Sequence, residues 1–436
     1  MKQKLAVEKF VFLKGLTIDV IEEARVRDGR KIREFGPNNT GGTLITPGAL
    51  NFYPAFWIRD YAMSLETGLI PIEEQKHMLM LTASTQQEKD WYTPSGSFVP
   101  RGSIADHITL RGQPIFFPGT IDDYENQGGI FGKLPSLDDH YYFIHMAWYY
   151  IQSTKDQEIL TVDIKGIKLI DRLDLAFAVP PSSQDTHLVC CHENDRGVSF
   201  GFVDHIIHTG NLLICSILKY QAAKQMIQLH HLLQNQDKAN DYSRIADSLR
   251  ASINTTFGTD SGFLRASTGK SNQKDVWGTA FAVYADVLEA DLKQKACRAL
   301  AKAYTNQTIA WRGNIRHVPV GDDFNHTTAW QKVVPKDAIN TYQNGAYWGT
   351  PTGWVAYAIA QIDEELALNL AQEYIEELEE GDFRKGSPCG SPWECIHPDN
   401  NYRKGPVYMT SVTCPLAAFQ KLKWDIPQGA LGVLQN

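Results

Sequence analysis

The stretch PTGWVAYAIAQIDEELALNLAQEYIEELEEG, residues 351–381, contains two helical patterns in direct succession. The first follows a Thr-Pro dipeptide, which suits a helix start, and continues to about residue 362. The second ends at Gly381 and repeats large side chains at i+4 spacing, at Leu366, Leu370, Tyr374 and Leu378. A short polar connection joins the two, so this stretch predicts a helical hairpin.

The same pairing recurs outward from this hairpin in both directions. Helical periodicity covers residues 71–87, 139–154, 156–179, 205–234, 239–257, 275–288, 290–304 and 408–423. Strand alternation is scarce, with short strands possible only near 8–20, 185–192 and 315–320. About eleven or twelve helices in pairs predict an all-α fold, an (α/α)6 barrel of helical hairpins with short β-strands in the loops. A helical solenoid is the alternative, but solenoids have a fixed sequence period and this chain does not.

Length and composition exclude several classes of protein. The chain has 436 residues, 43% of them hydrophobic, which is enough to fill one large core. The net charge of −8 and the absence of a basic cluster argue against a nucleic-acid partner, and no apolar run is long enough to span a membrane. We expect an N-terminal extension, 1–50, that packs on a catalytic barrel, 51–436. The oligomeric state stays open.

The N-terminus lacks the uninterrupted apolar segment of a signal peptide. The chain as given is therefore predicted to be cytoplasmic, or periplasmic or secreted if a signal was removed. The seven cysteines are scattered and odd in number, which argues against a disulfide framework. CxxC and HExxH motifs are absent, so we predict neither a metal site nor a cofactor.

The candidate chemistry lies in loops that combine aromatic residues with acids. In WIRDY, 57–61, Trp57 can stack on a sugar ring while Arg59 and Asp60 bind adjacent hydroxyl groups. A salt bridge between Arg59 and Asp60 is the structural alternative. A second segment, 122–142, contains Asp122, Asp123, Glu125, Asp138 and Asp139. Such acids are most often solvated, and the spacing of an EF-hand calcium loop is absent.

A third segment, HENDRGVSFGFVDH, 192–205, contains Asp195 and Asp204. Asp204 lies beside two phenylalanines, whose burial would raise the pKa of a carboxyl group as a general acid requires. If Asp204 opens the following helix, a helix-capping role is the alternative, and the helix dipole would favour its ionised form. Asp195 is the competing candidate for the acid.

Two further segments complete the set. INTYQNGAYWGTPTGW, 339–354, combines amides, aromatics and glycines that suit a polyhydroxylated ligand, with Gln343, Asn344, Tyr347 and Trp348 as candidates. In CGSPWECIHPDN, 389–400, prolines flank Trp393 and Glu394, and we predict a loop. Two carboxyl groups in separate aromatic loops suggest glycoside hydrolysis, in which one acid protonates the leaving oxygen and one carboxylate activates water or attacks the sugar.

These motifs, in this order, resemble those of the six-hairpin glycosidases, in particular the alkaline/neutral invertase and trehalase-like groups and related bacterial hydrolases. WIRDY resembles their sugar-binding segment, and Asp138-Asp139 resembles their aspartate before an aromatic helix. The segment from FGFVDH and the PWECIHPDN loop resemble those that carry the general acid and the catalytic base. The resemblance implies an exo-acting, inverting hydrolase with Asp204 as acid and Glu394 as base. The glycine-tryptophan-aspartate-phenylalanine acid motif of trehalases is missing near 195–204.

Three other functions stay open. An unsaturated uronyl hydrolase would need several cationic groups, and Arg59, Arg312 and Arg316 are the obvious ones. A sugar epimerase on the same barrel would use paired histidines, for which His205 and His208 are candidates if they share a helix. A non-catalytic carbohydrate-binding protein would keep the aromatic residues without requiring two opposed carboxyl groups.

Overall fold

The computed structural model describes residues 7–48, 52–94, 96–118, 131–322, 338–386, 390–399 and 401–424. The acidic residues Asp122, Asp123 and Glu125 lie outside these ranges, as does Cys389. The six cysteines within them are free thiols. No helix in the described part of the chain is long and apolar enough to cross a membrane.

Twelve α-helices lie within the described residues. In chain order they are α1 (Val7–Ala24), α2 (Ile58–Ser64), α3 (Ile72–Thr85), α4 (Asp139–Thr154), α5 (Leu169–Ala178), α6 (Leu213–Leu232), α7 (Gln236–Phe257), α8 (Val276–Tyr284), α9 (Ala290–Thr305), α10 (Thr352–Ala360), α11 (Glu364–Gly381) and α12 (Thr410–Lys421).

The even-numbered helices form a closed inner ring. Each of them contacts the next even-numbered helix, and α12 contacts α2. The odd-numbered helices pack outside this ring, with α7 on α6, α9 on α8 and α10, and α1 on α12 and α11. This is the (α/α)6 barrel that the sequence predicts. The division of the chain at residue 50 stays a proposal.

Sequence pattern decides which helices are inner and which are outer. Every residue of α8, VWGTAFAVY, is buried, because this helix has neighbours on all sides and few polar groups. In α11 the buried side chains include Leu370, Tyr374 and Leu378, at the predicted spacing, and Glu373 between them is exposed. An outer helix needs one apolar stripe only, because its other face is in water.

Short strands lie in the segments between the helices of the described chain. They are β1 (Arg25–Val26), β2 (Lys31–Ile32), β3 (Gly36–Pro37), β4 (Leu44–Ile45), β5 (Ala55–Trp57), β6 (Trp91–Tyr92), β7 (Phe98–Val99), β8 (His107–Thr109), β9 (Pro114–Ile115), β10 (Asp163–Ile164), β11 (Ile167–Lys168), β12 (Cys190–Cys191), β13 (Gly210–Asn211), β14 (Leu264–Arg265), β15 (Lys274–Asp275), β16 (Ala310–Trp311), β17 (Asn314–Ile315), β18 (Tyr347–Trp348), β19 (Trp393–His397) and β20 (Tyr402–Pro406). Strands β16 to β20 form one five-stranded antiparallel sheet in sequence order.

Several local predictions are wrong. Residues 8–20 belong to helix α1, where apolar residues at helical spacing face the core. The helix predicted from residue 205 begins only at Leu213, after strand β13, and the segment before α5 forms a 3-10 turn and a β-hairpin. Glu394 lies on strand β19 and not in a loop. Pro392 precedes this strand and Pro398 follows it, so neither removes a hydrogen bond from its interior.

Candidate active site

The amino-terminal ends of the inner helices and the loops before them surround a cavity of about 160 Å³, here called the loop-side cavity. Most of its lining comes from segments that lead into α2, α6, α10 and α12. Its lining residues are Pro47, Tyr53, Trp57, Arg59, Asp60, Asp106, His107, Phe117, Phe131, Gly201, Phe202, Asp204, His205, Tyr342, Glu394, Lys404 and Tyr408. Both predicted catalytic residues, Asp204 and Glu394, are among them although 189 positions separate them in the chain.

Glu394 is more enclosed than Asp204, with only 2% of its surface exposed. The Tyr53 hydroxyl donates to its two carboxylate oxygens at 3.1 and 3.0 Å, and Tyr342 also hydrogen-bonds to it. The Lys404 ammonium lies 3.8 Å from Oε2. Burial raises the pKa of Glu394, and Lys404 and Tyr53 oppose that rise because they stabilise the carboxylate.

The backbone around Glu394 is shaped to bring these groups together. Tyr53 and Tyr342 both have left-handed backbone angles, with φ of 54° and 41°. Non-glycine residues in this region store strain, which concentrates at functional sites. Gly405, on the neighbouring strand β20, has φ of 58°, and a Cβ there would lie 2.5 Å from the Cβ of Glu394. Glycine is therefore required opposite the glutamate.

Asp204 follows a 3-10 turn, Gly201–Val203, and is half-buried at the cavity wall. The Gln343 side-chain amide donates to Asp204 Oδ1 at 2.6 Å, and its carbonyl accepts from the backbone N–H of His205 at 2.7 Å. Tyr342 and Gln343 are consecutive in the sequence, so one turn of backbone contacts both Glu394 and Asp204. A helix-capping role for Asp204 is wrong, because the helix begins nine residues later, at Leu213.

The competing acid Asp195 is not positioned for this chemistry. It lies in an exposed 3-10 turn, Glu193–Asp195, outside the lining of the loop-side cavity. Of the two candidates for the acid, Asp204 lines the loop-side cavity and Asp195 does not.

Arg59 lies at the bottom of the cavity and is bonded chiefly to protein acids. Its guanidinium contacts Asp106 at 2.6 Å, Asp138 at 2.8 Å and Asp139 at 2.7 Å. The arginine side chain passes directly over Gly201, where a Cβ would lie 2.2 Å from the guanidinium carbon. This explains the glycine between the two phenylalanines of FGF. The Arg59–Asp60 salt bridge, the structural alternative, does not form, because Arg59 pairs with Asp106, Asp138 and Asp139.

Asp138 and Asp139 are fully buried behind Arg59 and lie outside the cavity lining. Asp138 also accepts from Ser136 at 2.6 Å and from the backbone N–H of Gly201 at 3.0 Å. Burial raises the pKa of Asp139 well above its ordinary value, and its Oδ1 has no hydrogen-bond partner within the described residues. The two aspartates therefore position Arg59 and do not reach a ligand in the cavity.

Asp60 is a third carboxyl group on the cavity wall. It accepts a hydrogen bond from the Tyr408 hydroxyl at 2.7 Å. Burial raises the pKa of Asp60 to about 7, although the charge of Arg59 opposes this. Beside it, Trp57 stacks on His107 with ring centroids 4.3 Å apart, and His107 is bonded to Asp106 at 2.7 Å. Trp57 and Asp60 thus both line the loop-side cavity.

The remaining predicted ligand-binding residues support the cavity from outside. Trp348 is buried in an aromatic cluster with Phe202, Trp277 and His317. Asn344 donates to the Ala338 carbonyl within its own turn at 3.1 Å. Tyr347 borders a separate surface groove with Trp311, and Trp393 lies under Arg403. Sequence reasoning did not assign Tyr53, His107, Lys404 and Tyr408, because single aromatic or basic residues in loops carry no motif.

Sequence comparisons and structure comparisons differ sharply for this chain. No family model matches the sequence, and no curated protein matches it significantly. Solved structures do match. A rhamnosidase from Klebsiella oxytoca with rhamnose bound superimposes with a TM-score of 0.56 at 12% identity, over 95% of this chain and 64% of its own. The chain therefore spans less than two thirds of that rhamnosidase.

Two further structures match over most of their length, and each contains a bound sugar. The mannosylglycerate hydrolase from Thermus thermophilus, in complex with glucose, gives a TM-score of 0.57 at 12% identity, over 93% of this chain and 99% of its own. A Streptococcus pneumoniae α-mannosidase, described as metal-independent and complexed with α-1,6-mannobiose, gives 0.55 at 11% identity, over 95% and 94%.

This chain has the six-hairpin glycosidase fold. The fold resemblance drawn from WIRDY, FGFVDH and PWECIHPDN is thereby confirmed. At such low identity the match establishes the architecture, and the roles of individual residues depend on the geometry of the loop-side cavity.

Proposed function

We propose that this protein is an inverting glycoside hydrolase that removes a terminal sugar from an oligosaccharide or glycoconjugate. The observation that carries the proposal is the convergence of Asp204 and Glu394 on one small cavity with an aromatic wall. Two carboxyl groups on opposite sides of a glycosidic bond are the minimum that hydrolysis with inversion requires. The glycosidase names of the fold neighbours, and the sugars in their structures, support the same class of activity.

Glu394 is assigned as the general base. Tyr53, Tyr342 and Lys404 favour its ionised form, which must accept a proton from water. The water oxygen attacks the anomeric carbon as its proton passes to Glu394, and the bond from that carbon to the leaving oxygen breaks. Deep burial of the carboxylate strengthens its interaction with the water that it polarises.

Asp204 is assigned as the general acid. Gln343 donates to Oδ1, so the proton that Asp204 delivers is carried by Oδ2. This proton goes to the leaving oxygen as the glycosidic bond breaks, so that the departing group leaves as a neutral alcohol. Asp204 is more exposed than Glu394, which suits a group that faces the departing part of the substrate.

The cavity fits a single terminal sugar. Its volume of about 160 Å³ is below the roughly 300–1,000 Å³ of typical drug-sized sites, which favours exo-acting cleavage. Trp57 provides an apolar face for the sugar ring, and Asp60 with Tyr408 offers hydrogen-bonding groups for its hydroxyls.

The alternative functions receive less support from the described residues. The histidine pair of an epimerase is separated, since His205 lines the cavity and His208 is instead buried against Ser199. Burial lowers the pKa of His208 to about 3, and the two histidines do not share a helix. For a uronyl hydrolase, Arg312 pairs with Glu380 and Arg316 with the Gly345 carbonyl, which leaves Arg59 and Lys404 at the cavity.

The experiment is a panel of aryl glycosides and natural oligosaccharides, with the first product anomer observed by NMR. We expect one or more substrates to be cleaved at the non-reducing end with inversion at the anomeric carbon. Retention of configuration would contradict the roles of Asp204 and Glu394. Binding of glycans without release of reducing sugar would instead favour a carbohydrate-binding protein.

A further inference from the structure

The loop-side cavity contains a histidine that the proposed hydrolysis does not use. His107 lies on β8, the middle strand of the sheet β5-β8-β9, directly opposite Trp57 of β5. The two rings stack with their centroids 4.3 Å apart and an interplanar angle of 18°. Side chains paired across two strands stabilise each other, so the sheet and Trp57 together fix the His107 ring in the cavity wall.

Asp106 determines which ring nitrogen of His107 carries the proton. Its Oδ2 lies 2.7 Å from His107 Nδ1, and its Oδ1 lies 2.6 Å from the Arg59 guanidinium. Burial would raise the pKa of Asp106, but the charge of Arg59 and the hydrogen bond from His107 outweigh burial and lower it. Asp106 is therefore a carboxylate, which only accepts. His107 donates to it from Nδ1, so the neutral ring has its lone pair on Nε2.

The Nε2 atom of His107 is available to a ligand. It has no hydrogen-bond partner among the residues that the structure describes. Unlike the unpartnered Nδ1 of the buried His230, it is not enclosed by protein, and 12% of the His107 side chain is exposed. Because His107 lines the loop-side cavity and Nδ1 is bonded to Asp106, Nε2 is the ring nitrogen left for a ligand.

A fixed, neutral acceptor selects for a group that donates. Sugar hydroxyls donate, whereas a hydroxyl that is methylated, acylated or replaced by hydrogen or fluorine does not. A ligand altered in this way would displace water from Nε2 and leave the lone pair unpaired, which is costly in an enclosed site. Sites built to bond a hydroxyl therefore reject analogues that lack it far more strongly than apolar pockets reject a change of size.

We propose that His107 is a specificity-determining residue that accepts a hydrogen bond through Nε2 from one hydroxyl of the terminal sugar. Asp106 and Arg59 act through His107 as positioning residues, because they fix its tautomer and its orientation. The substrates are then glycosides whose terminal sugar has a free hydroxyl at this ring position. This inference rests on the proposed function for its ligand, a terminal sugar in the loop-side cavity.

The test is a double-mutant cycle between His107 and the hydroxyl groups of the ligand. Calorimetry on the full chain at pH 8, where histidine is ordinarily neutral, measures binding of D-glucose, D-mannose, L-rhamnose and any monosaccharide that the substrate panel releases. The parent sugar that binds most tightly is then compared with its monodeoxy and monodeoxyfluoro analogues, one ring position at a time.

The variants remove Nε2 in two different ways. His107→Phe keeps an aromatic ring against Trp57 without a nitrogen. If this variant does not fold, His107→Asn replaces it, since its shorter amide still bonds to Asp106 but does not extend to the position of Nε2. The matched control is His231→Phe, at an exposed position in the last turn of α6.

We expect the wild type and His231→Phe to bind both analogues altered at one ring position about fivefold or more weakly than the parent sugar. In the His107 variants this difference should disappear at that position and persist at the others. The proposal is overturned if the His107 variants weaken the parent sugar and all analogues by the same factor, as a purely structural role predicts. It is also overturned if no parent sugar binds saturably.

These results are distinguishable from those of the hydrolysis panel. Coupling between His107 and one hydroxyl without any turnover would contradict the proposed function and support this inference. Turnover with inversion but without such coupling would support the proposed function and overturn this inference.

Discussion

The side-chain amide of Gln343 donates to Asp204 at 2.6 Å while its carbonyl accepts from the backbone of His205 at 2.7 Å. Gln343 therefore fixes both the carboxyl group and the backbone that carries it. The residue before it, Tyr342, hydrogen-bonds to Glu394. The segment before α10 thus holds the two proposed catalytic acids in one arrangement, although neither acid is near it in sequence.

Gln343→Leu should impair the general acid without removing it. We expect kcat/KM for natural glycosides to fall about tenfold or more, because the leucine neither orients Asp204 nor bonds to His205. Aryl glycosides with good leaving groups should lose less, since their departing oxygen needs little protonation. A loss of equal size on both substrates would indicate a general structural defect and contradict this positioning role.

Asp204→Asn should lower kcat/KM more than Gln343→Leu does, and this loss should again be smaller for substrates with good leaving groups. Loss of general acid catalysis costs about 10²–10⁴-fold, and substrates with activated leaving groups escape most of it. The matched control is Asp195→Asn, on the exposed turn, which we expect to be as active as the wild type. If Asp195→Asn shows the dependence on leaving group and Asp204→Asn does not, Asp195 is the acid.

Lys404→Met should move the acidic limb of the pH–rate profile to higher pH. The charge of Lys404 lowers the pKa of Glu394, so its removal lets burial raise that pKa further. A base must be ionised, and activity is lost as pH falls through its pKa, so a higher pKa shifts this loss upward. Lys302→Met, at an exposed position of α9, should leave the profile unchanged. A shift of the limb to lower pH would contradict the assignment of Glu394 as base.

Asp60 should make the protein less stable as pH rises from about 4 to about 7. Its pKa is about 7 in the folded chain against an ordinary value of 3.8, so in this window the folded state holds a proton that the unfolded state releases. The effect amounts to up to about 4 kcal/mol. In Asp60→Asn this contribution is absent. Urea unfolding should therefore show the variant gaining stability relative to the wild type between pH 5 and pH 8. A constant difference across this range would contradict the raised pKa.

Sequence periodicity was sufficient for the barrel because each hairpin carries its own pattern. The i+4 stripe of α11 and the apolar run of α8 need no knowledge of distant residues. The same reasoning failed at residues 205–212, where helix-like apolar spacing continues into a segment that pairs Gly210-Asn211 with Cys190-Cys191. Such pairing depends on contacts between loops, which a local pattern does not encode.

Less of the candidate site than of the barrel could be predicted from the sequence. Asp204, Glu394, Trp57 and Asp60 line the cavity, and the sequence singles them out because acids and tryptophan together in short aromatic segments are conspicuous. Asp138 and Asp139 look like ligand-binding acids, but the burial that places them behind Arg59 is a property of the assembled barrel. Tyr53 is far from Glu394 in the sequence, and Lys404 contacts Glu394 from the neighbouring strand β20. Only the fold therefore brings these two residues to the site.

Turnover by the Glu394→Gln variant tests the central claim most directly. Glutamine is nearly the same size and still accepts from Tyr53, but it cannot take a proton from water. On a substrate confirmed with the wild type, we expect kcat to fall by at least about 10²-fold while the melting temperature changes little. Glu365→Gln, at an exposed position of α11, should retain full activity. Wild-type kcat in Glu394→Gln would contradict the account of this site.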